Sequence, residues 1–357
     1  MDFTYKFPVV KGKQAGQDYF IAMVPLKMLS KLFPNEDEYV LPEYRAQRKV
    51  NMARIPIISK YITDHRNSYV FSALAASIDG DFVFHENENC IGTGVLEVSM
   101  EARFLINDGQ HRKAAILEAI NEDETLERET ISVVFYKDFG LARSQQIFTD
   151  LNKHAVKASN SIAELYDSRD ELAVVNREIV ANVKFLNQYT DREKDNLGKY
   201  SSNLFTLNIF YKANKRIIGS MGISARTSEF LHNFWNGIVQ NIEPWNELIN
   251  RKISKVDLRE NYIITQGVVM QAFGIIGNYF YTHQNLVMED YLYKLREIDW
   301  KRNAFQWKLR VIRTDGRIMT SNKAIDLTAV EIKKKIGLDL SEEEQIKEQK
   351  FINSINI

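Results

Sequence analysis

The chain contains little cysteine, and this scarcity limits the chemistry that it can support. Cys90 is the only cysteine among 357 residues, which excludes an internal disulfide framework and any zinc site built from several cysteines. Four histidines also show no metal-ligand spacing; they are His65, His85, His232 and His283. The sequence therefore predicts no metal site.

Long apolar runs are missing as well. No stretch approaches the roughly 20 apolar residues that a transmembrane helix needs. The N-terminal segment, MDFTYKFPVV, is too polar for a secretory signal. The pattern GxxxxGK[ST] does not occur either, which excludes a P-loop ATPase. We therefore expect a cytoplasmic protein without a membrane partner.

Neither sign of charge is in excess, but the basic residues are unevenly distributed. Lys and Arg total 47, as do Asp and Glu, so the net charge gives no indication of a nucleic-acid partner. Two segments, 44–66 and 300–323, are nevertheless strongly basic, with Asp64 and Asp315 as their only acids. Such local excess is typical of phosphate contact, and the alternative is two solvated faces that acids elsewhere balance. The first segment supplies the predicted DNA-binding residues, which are Arg45, Arg48, Lys49 and Arg54.

The periodicity of apolar residues divides the chain into two parts. Up to Asn160, strands are predicted within 16–29, 68–80, 94–100, 102–108 and 130–139, and the first of these runs into a short helix. Helices are predicted within 44–65, with a restart at Pro56, and within 113–123 and 141–157. From Ser161 onwards nearly all signals are helical. We therefore predict an α+β fold with domains 1–160 and 161–357, the second ending in a charged tail from Leu340 that frays.

The second part is rich in aromatic and apolar residues at helical spacing. We predict that its aromatic residues form a core rather than base-stacking platforms; examples are Trp235, Trp245, Phe273, Tyr279 and Phe280. Its apolar helices, especially 261–281, contain more hydrophobic surface than a thin bundle can hide. This surplus predicts that the helical part carries most of the self-association.

The most informative segment is 103–117, in which an apolar strand runs into Asp108-Gly109 and a helix begins near Gln110. Asp108 is placed to cap that helix, and Gly109 permits a tight turn. The first-turn amides and the positive end of the helix dipole favour a phosphate, and His111 and Arg112 add hydrogen-bond donors. The alternative is an ordinary Asp-Gly turn followed by two exposed polar side chains. The five residues 108–112 are predicted to bind a phosphate or a nucleotide.

The string DGQHR after an apolar strand resembles the signature of the DGQHR-domain proteins, whose fold is related to the ParB and sulfiredoxin superfamily. QIFTDLNKHAVKAS (146–159) is similar to a helix of that family that carries a Leu-Asn element. Three longer segments, 191–217, 258–277 and 307–344, resemble the DndB family of DNA sulfur modification proteins in particular. The similarity covers nearly the whole chain. It implies a ParB/sulfiredoxin-like N-terminal domain followed by an all-helical C-terminal domain.

The resemblance also implies a function, which is that of a DNA-binding transcriptional repressor of the bacterial phosphorothioate modification (dnd) genes. Its partner would be double-stranded DNA, the promoter of its own operon. Homodimerisation is expected because operators are usually two-fold repeats, and other phosphorothioation proteins are further candidate partners. Sulfiredoxins carry a catalytic cysteine where this chain has Gln110, so we do not expect sulfinic acid repair by a thiol.

Two other classes of function stay open. The first is an enzyme, a nucleotide hydrolase or DNA-nicking protein, in which Asp108 positions water or a metal, His111 acts as acid or base and Arg112 holds phosphate. Its nucleoside triphosphate, the one cofactor considered, would lie on the helix terminus of the DGQHR loop, and Asn152 would orient His111 or the phosphate. The second is a scaffold that holds modification or restriction partners through the helical domain.

Overall fold

The computed structural model describes residues 3–34, 50–153 and 158–355. Within these ranges, the side chains of five residues are not described: Leu141, Ala142, Asn152, Lys153 and Ile355. The chain divides into two units, Met1–Val156 and Lys157–Ile357, which we call the mixed unit and the helical unit. Together they give a mixed α+β fold.

The mixed unit is built on one sheet. Its strands in chain order are β1 (Thr4–Gln14), β2 (Gln17–Pro25), β3 (Leu74–Asp79), β4 (Phe82–Glu86), β5 (Thr93–Ser99), β6 (Arg103–Asp108) and β7 (Thr130–Lys137). In the part of the chain that the structure describes, they lie side by side in the order β4-β5-β1-β2-β7-β3-β6. Neighbouring strands are antiparallel, apart from β3 and β7, which are parallel.

The core of the mixed unit lies between this sheet and helices. The helices are α1 (Leu29–Leu32), α2 (Ile55–Asp64), α3 (Gln110–Glu122) and α4 (Leu141–Lys153). Successive side chains of a strand point to opposite faces, and in β1 Phe7 and Val9 are buried while Lys6 and Pro8 are exposed. The buried strand residues pack with Leu29, Ile62 and Ile116 of the helices in one apolar cluster.

Most elements of this unit were predicted from the sequence. Strands β2, β3, β5, β6 and β7 confirm the five strand predictions, and α3 and α4 confirm two helix predictions. Helix α2 begins at Ile55 with Pro56 in its first turn, which confirms the predicted restart. Strands β1 and β4 were not predicted.

The helical unit follows its predicted character closely. Its helices are α5 (Asn160–Tyr166), α6 (Glu171–Asn182), α7 (Lys184–Tyr189), α8 (Leu207–Ile218), α9 (Ala225–Asn241), α10 (Glu243–Ile249), α11 (Lys255–Asn261), α12 (Gly267–Thr282), α13 (Glu289–Leu292), α14 (Asn322–Ile336) and α15 (Glu342–Ile355). Two strands of two residues each, β8 (Thr190–Asp191) and β9 (Phe205–Thr206), pair in parallel between helices. In the residues described for this unit, the fold is therefore helical with one short strand pair.

Helix α12 lies at the centre of this unit's core. It packs against α8 and α14, and its apolar residues, among them Phe273 and Phe280, are buried in the unit's own core. Trp235 and Trp245 are buried there too, as predicted. This burial removes the surplus surface on which the self-association argument depended. Homodimerisation itself stays a prediction.

The charged tail forms helix α15, so the prediction that it frays is wrong. Glu348 lies on the buried side of α15 and accepts hydrogen bonds from both terminal nitrogens of Arg310, each at 2.6 Å. Lys334 donates to the same carboxylate at 2.8 Å, and the guanidinium of Arg310 stacks on the ring of Phe351. These contacts hold the tail because buried charges are tolerated when they are paired and hydrogen-bonded.

Candidate functional site

The DGQHR turn, residues 108–112, joins the end of β6 to the start of α3. Gly109 is the N-cap of α3. Its backbone φ is 106°, a value that residues other than glycine rarely adopt. A Cβ atom at this position would lie 2.4 Å from Cδ2 of Leu74. The turn therefore requires glycine for its backbone angle and for its close approach to β3, which confirms the predicted role of Gly109 in the tight turn; its part in phosphate binding stays a prediction.

The prediction that Asp108 caps α3 is wrong. No described side chain makes a capping hydrogen bond there. Asp108 is instead the last residue of β6, and its Oδ2 accepts a hydrogen bond from Nη2 of Arg112 at 2.5 Å. The Asp108 carboxylate and the Arg112 guanidinium thus form a salt bridge across the Gly109 turn, between the end of β6 and the first turn of α3.

Arg112 makes several contacts inside the mixed unit. Besides Asp108, its guanidinium donates through Nη1 to the carbonyl oxygens of Ser72 and Ala73 at 2.7 and 2.6 Å and to the hydroxyl of Ser72 at 2.7 Å. The side chain is only 18% exposed. Arg112 thus ties the start of α3 to the chain entering β3. Phosphate binding by this side chain stays a prediction, and a phosphate would compete with these acceptors.

Gln110 and His111 are also held by the surrounding structure. Gln110 is buried, and its Nε2 donates to the carbonyl oxygen of Ile106 at 3.0 Å. Nε2 of His111 accepts the backbone N–H of Asn51 at 2.8 Å, so this nitrogen is unprotonated in the observed arrangement. His111 therefore connects α3 to the segment before α2.

Lys113, the residue after the DGQHR turn, is buried in α3. Burial lowers the pKa of its ammonium group, because a low-dielectric environment disfavours the charged form. Lys113 therefore places an ammonium group of lowered pKa in the first turns of α3. The burial of Lys113 could not be predicted from the sequence, because a lysine in a helix is usually exposed.

A buried polar network lies along β3, β6 and α4, and it too was missed from the sequence. The hydroxyl of Ser77 donates to Oδ1 of Asn107 at 2.8 Å, and Nδ2 of Asn107 donates to the carbonyl oxygen of Ser144 in α4 at 3.4 Å. The hydroxyl of Ser144 also contacts Asp138 at 3.1 Å. The sequence did contain an indication of this network, because Ser77 and Asn107 interrupt the apolar runs of β3 and β6 and buried polar groups need hydrogen-bond partners.

The first basic segment is only partly described. Arg45, Arg48 and Lys49 lie outside the described residues, so their predicted contact with DNA is untested. Arg54 is exposed at the end of a short 3₁₀ helix, Met52–Arg54, which Asn51 caps through its side chain. The hydrogen bond between Asn51 and His111 places the 3₁₀ helix that carries Arg54 next to the DGQHR turn.

Arg66, at the other end of that segment, stabilises the fold. Its guanidinium pairs with Asp123 at 2.8 Å and with Glu129 at 2.6 Å, and Glu129 also accepts from the hydroxyl of Tyr69. The pKa of Arg66 is raised, and the hydrogen bond to Glu129 contributes most to this increase. Arg66 therefore joins the end of α2 to the chain after α3.

The position of Asn152 can be given only for its backbone, which lies in α4. Helix α4 packs along β6 through the bond between Asn107 and Ser144. The side chain of Asn152 lies outside the described part of the chain, so its predicted role in orienting His111 is untested.

Within the described residues, no helix combines the length and the apolar character needed to cross a membrane. The same residues place no group of three or more His, Cys, Asp or Glu side chains where a metal ion could be held. Among known proteins, a family model described as DndB, DNA-sulfur modification-associated, matches residues 7–339, a range that spans parts of both units. No curated protein and no solved structure matches the chain.

Proposed function

The chain belongs to the DndB family of DNA-sulfur modification-associated proteins, and from this membership we propose that it is a DNA-binding repressor of the phosphorothioate modification genes. It binds double-stranded DNA at the promoter of its own operon, as a homodimer in the bacterial cytoplasm. The observation that carries the proposal is the extent of the family match, 7–339, which relates nearly the whole chain to DNA sulfur modification.

The geometry of the mixed unit supports a binding role. The exposed Arg54 lies in a turn that Asn51 connects to His111, next to the N-terminus of α3. A helix N-terminus and a nearby arginine both favour phosphate. Within the DGQHR turn, the carboxylate of Asp108 is paired with Arg112, which leaves it poorly placed to position water or a metal. The same strand, Gly109 turn and helix support the ParB/sulfiredoxin-like relation as part of this proposal.

The proposal predicts specific binding that weakens with salt. The purified full chain should bind its promoter roughly 10³-fold or more tightly than a shuffled duplex of the same length. The affinity should fall between about 50 and 200 mM salt, with about 0.9 unit of log–log slope for each phosphate bound. Fluorescence anisotropy on both duplexes measures this. Equal affinity for the two duplexes would exclude a repressor that reads a sequence, and no binding at low salt would favour the scaffold instead.

A nucleotide hydrolase or DNA-nicking enzyme at the DGQHR turn is the second candidate. The observation that favours it is the first turn of α3, which no described side chain caps and which follows the left-handed Gly109. Release of phosphate from ATP or CTP, or relaxation of supercoiled plasmid, tests it. Either activity, abolished in His111→Ala while DNA affinity is retained, would place this candidate above the repressor.

A further inference from the structure

The second basic segment, 300–323, divides into buried and exposed cations. Arg310 is buried in its paired contact with Glu348, and Arg302 is half-buried, with a pKa that burial lowers. The other basic side chains of this segment are exposed; they are Lys301, Lys308, Arg313, Arg317 and Lys323. Three of these exposed cations, Lys308, Arg313 and Arg317, lie within residues 308–318, which we call the basic hairpin.

The basic hairpin has a fixed stem and an exposed tip. Ile312 pairs with Ile318 in antiparallel orientation, and the side chain of Ile312 belongs to the core of the helical unit. At the tip the N–H of Arg313 donates to the carbonyl oxygen of Arg317 at 2.9 Å. Gly316, with φ of 77°, closes the turn, as expected where a three-residue hairpin loop contains Asp-Gly. The two arginines are thus held side by side by backbone bonds.

The guanidinium groups at this tip remain open to solvent. The side chains of Arg313 and Arg317 are 58% and 81% exposed, and the single acid between them, Asp315, lies 3.5 and 4.0 Å away. Exposed ion pairs at such distances stabilise little. Beside the stem, Nζ of Lys308 lies over the ring of Phe305, which is 78% exposed. The patch combines three exposed cations with an exposed aromatic ring.

We propose that the basic hairpin is a DNA-backbone contact of the helical unit, in which Arg313 and Arg317 each bind a phosphate. This inference rests on the proposed function, because that function supplies the DNA. Arginine forks match phosphate oxygens with two parallel hydrogen bonds. A tip whose backbone is already hydrogen-bonded presents both forks with a smaller decrease in backbone freedom than a flexible loop would suffer.

The test compares charge-matched double variants of the full chain. Arg313→Ala/Arg317→Ala removes both forks, and the control Arg226→Ala/Lys252→Ala removes two exposed cations elsewhere in the helical unit. The hairpin variant should reduce the slope of log affinity against log salt by about 0.9 for each phosphate that the protein no longer binds. The control should change the slope far less. Far-UV circular dichroism and the melting temperature check that both variants are folded.

A third variant, Asp315→Asn, removes the acid at the tip and keeps the side-chain oxygen that accepts the N–H of Arg317 at 3.1 Å. It should bind DNA more tightly than the natural chain at low salt. Opposite shifts in affinity for the double variant and Asp315→Asn support the hairpin as a site of phosphate binding.

The outcomes separate this inference from the proposed function. If the natural chain binds its promoter and the hairpin variant behaves as the control does, the inference is overturned and the repressor proposal stands. If binding is equal for all duplexes and depends on the hairpin, the inference stands and the repressor proposal fails. Hairpin-dependent binding to anionic vesicles without any binding to DNA would overturn both.

Discussion

The DGQHR turn and the basic hairpin place the same residue types in opposite environments. Each combines an Asp-Gly pair with arginine: Asp108-Gly109 with Arg112, and Asp315-Gly316 between Arg313 and Arg317. In the first, the guanidinium is 18% exposed and 2.5 Å from the carboxylate. In the second, the guanidinium groups are 58% and 81% exposed and lie 3.5 and 4.0 Å from the carboxylate.

The difference comes from what surrounds each turn. Arg112 lies in the first turn of α3 and donates to the carbonyl oxygens of Ser72 and Ala73, in the chain that enters β3. The hairpin tip projects from its stem, and no described backbone group accepts a bond from its guanidinium groups. A local sequence pattern therefore sets the turn, whereas distant chain segments decide whether its arginine is used for stability or is available to a ligand.

The largest effect is expected inside the second basic segment itself. Arg310→Ala should reduce the free energy of unfolding of the helical unit by about 3–5 kcal/mol, because Glu348 would be left buried without its main partner. Arg313→Ala, three residues away and exposed, should change it by less than about 0.5 kcal/mol. Urea unfolding followed by tryptophan fluorescence reports this unit selectively, since all four tryptophans lie within it. Equal effects would show that exposure does not separate the two arginines.

Arg112→Ala is expected to have the next largest effect, on the mixed unit. It removes the bonds to Ser72, Ala73 and Asp108, and their removal should destabilise the unit by about 2–3 kcal/mol. Lysine at this position should recover only part of the stability because it lacks the fork. Hydrogen exchange of the amides in 103–122 measures the change. Unchanged protection would mean that the observed bonds contribute little.

The two glycines give the smallest expected difference. Gly109→Ala should destabilise its unit by about 2 kcal/mol, from the positive φ and from the approach of Leu74. Gly316→Ala should cost only about 1 kcal/mol, because nothing lies within 4 Å of the position of its Cβ. Melting temperatures of the two variants, assigned to each unit by tryptophan fluorescence and circular dichroism, test the order. The reverse order would contradict the described packing at Gly109.

The elements with clear apolar periodicity were predictable from the sequence, and the missed ones have identifiable reasons. In β1, Pro8 argues against a strand because it cannot donate to a neighbour. The structure tolerates it because pairing with β2 begins one residue later, at Val9. The charged composition of α15, to which Glu348 contributes, indicates a solvated tail. The contact that buries Glu348 could not be predicted, because its partner Arg310 lies 38 residues earlier in the chain.

The candidate site was predictable to a similar extent. The position of the turn and the need for glycine at 109 follow from the local pattern of a strand, Asp-Gly and a helix. The partners of Arg112 do not, because Ser72 and Ala73 lie 40 and 39 residues earlier in the chain. The hydrogen bond from Asn51 to His111 could not be predicted either, because these two residues lie 60 positions apart in the chain. Tertiary contacts of this kind change the interpretation of a motif without changing its sequence.

The most direct test of the account measures DNA affinity over a salt series and unfolding stability together, for Arg112→Ala and for Arg313→Ala/Arg317→Ala. Because the guanidinium of Arg112 already donates to Ser72, Ala73 and Asp108, we predict that Arg112→Ala lowers stability. Contrary to the phosphate binding expected from the sequence, it should leave the salt slope of the folded molecules unchanged. The hairpin variant should flatten the slope and leave stability unchanged. A flattened slope in a fully stable Arg112→Ala, together with an unaltered hairpin variant, would contradict the opposite roles of the two regions.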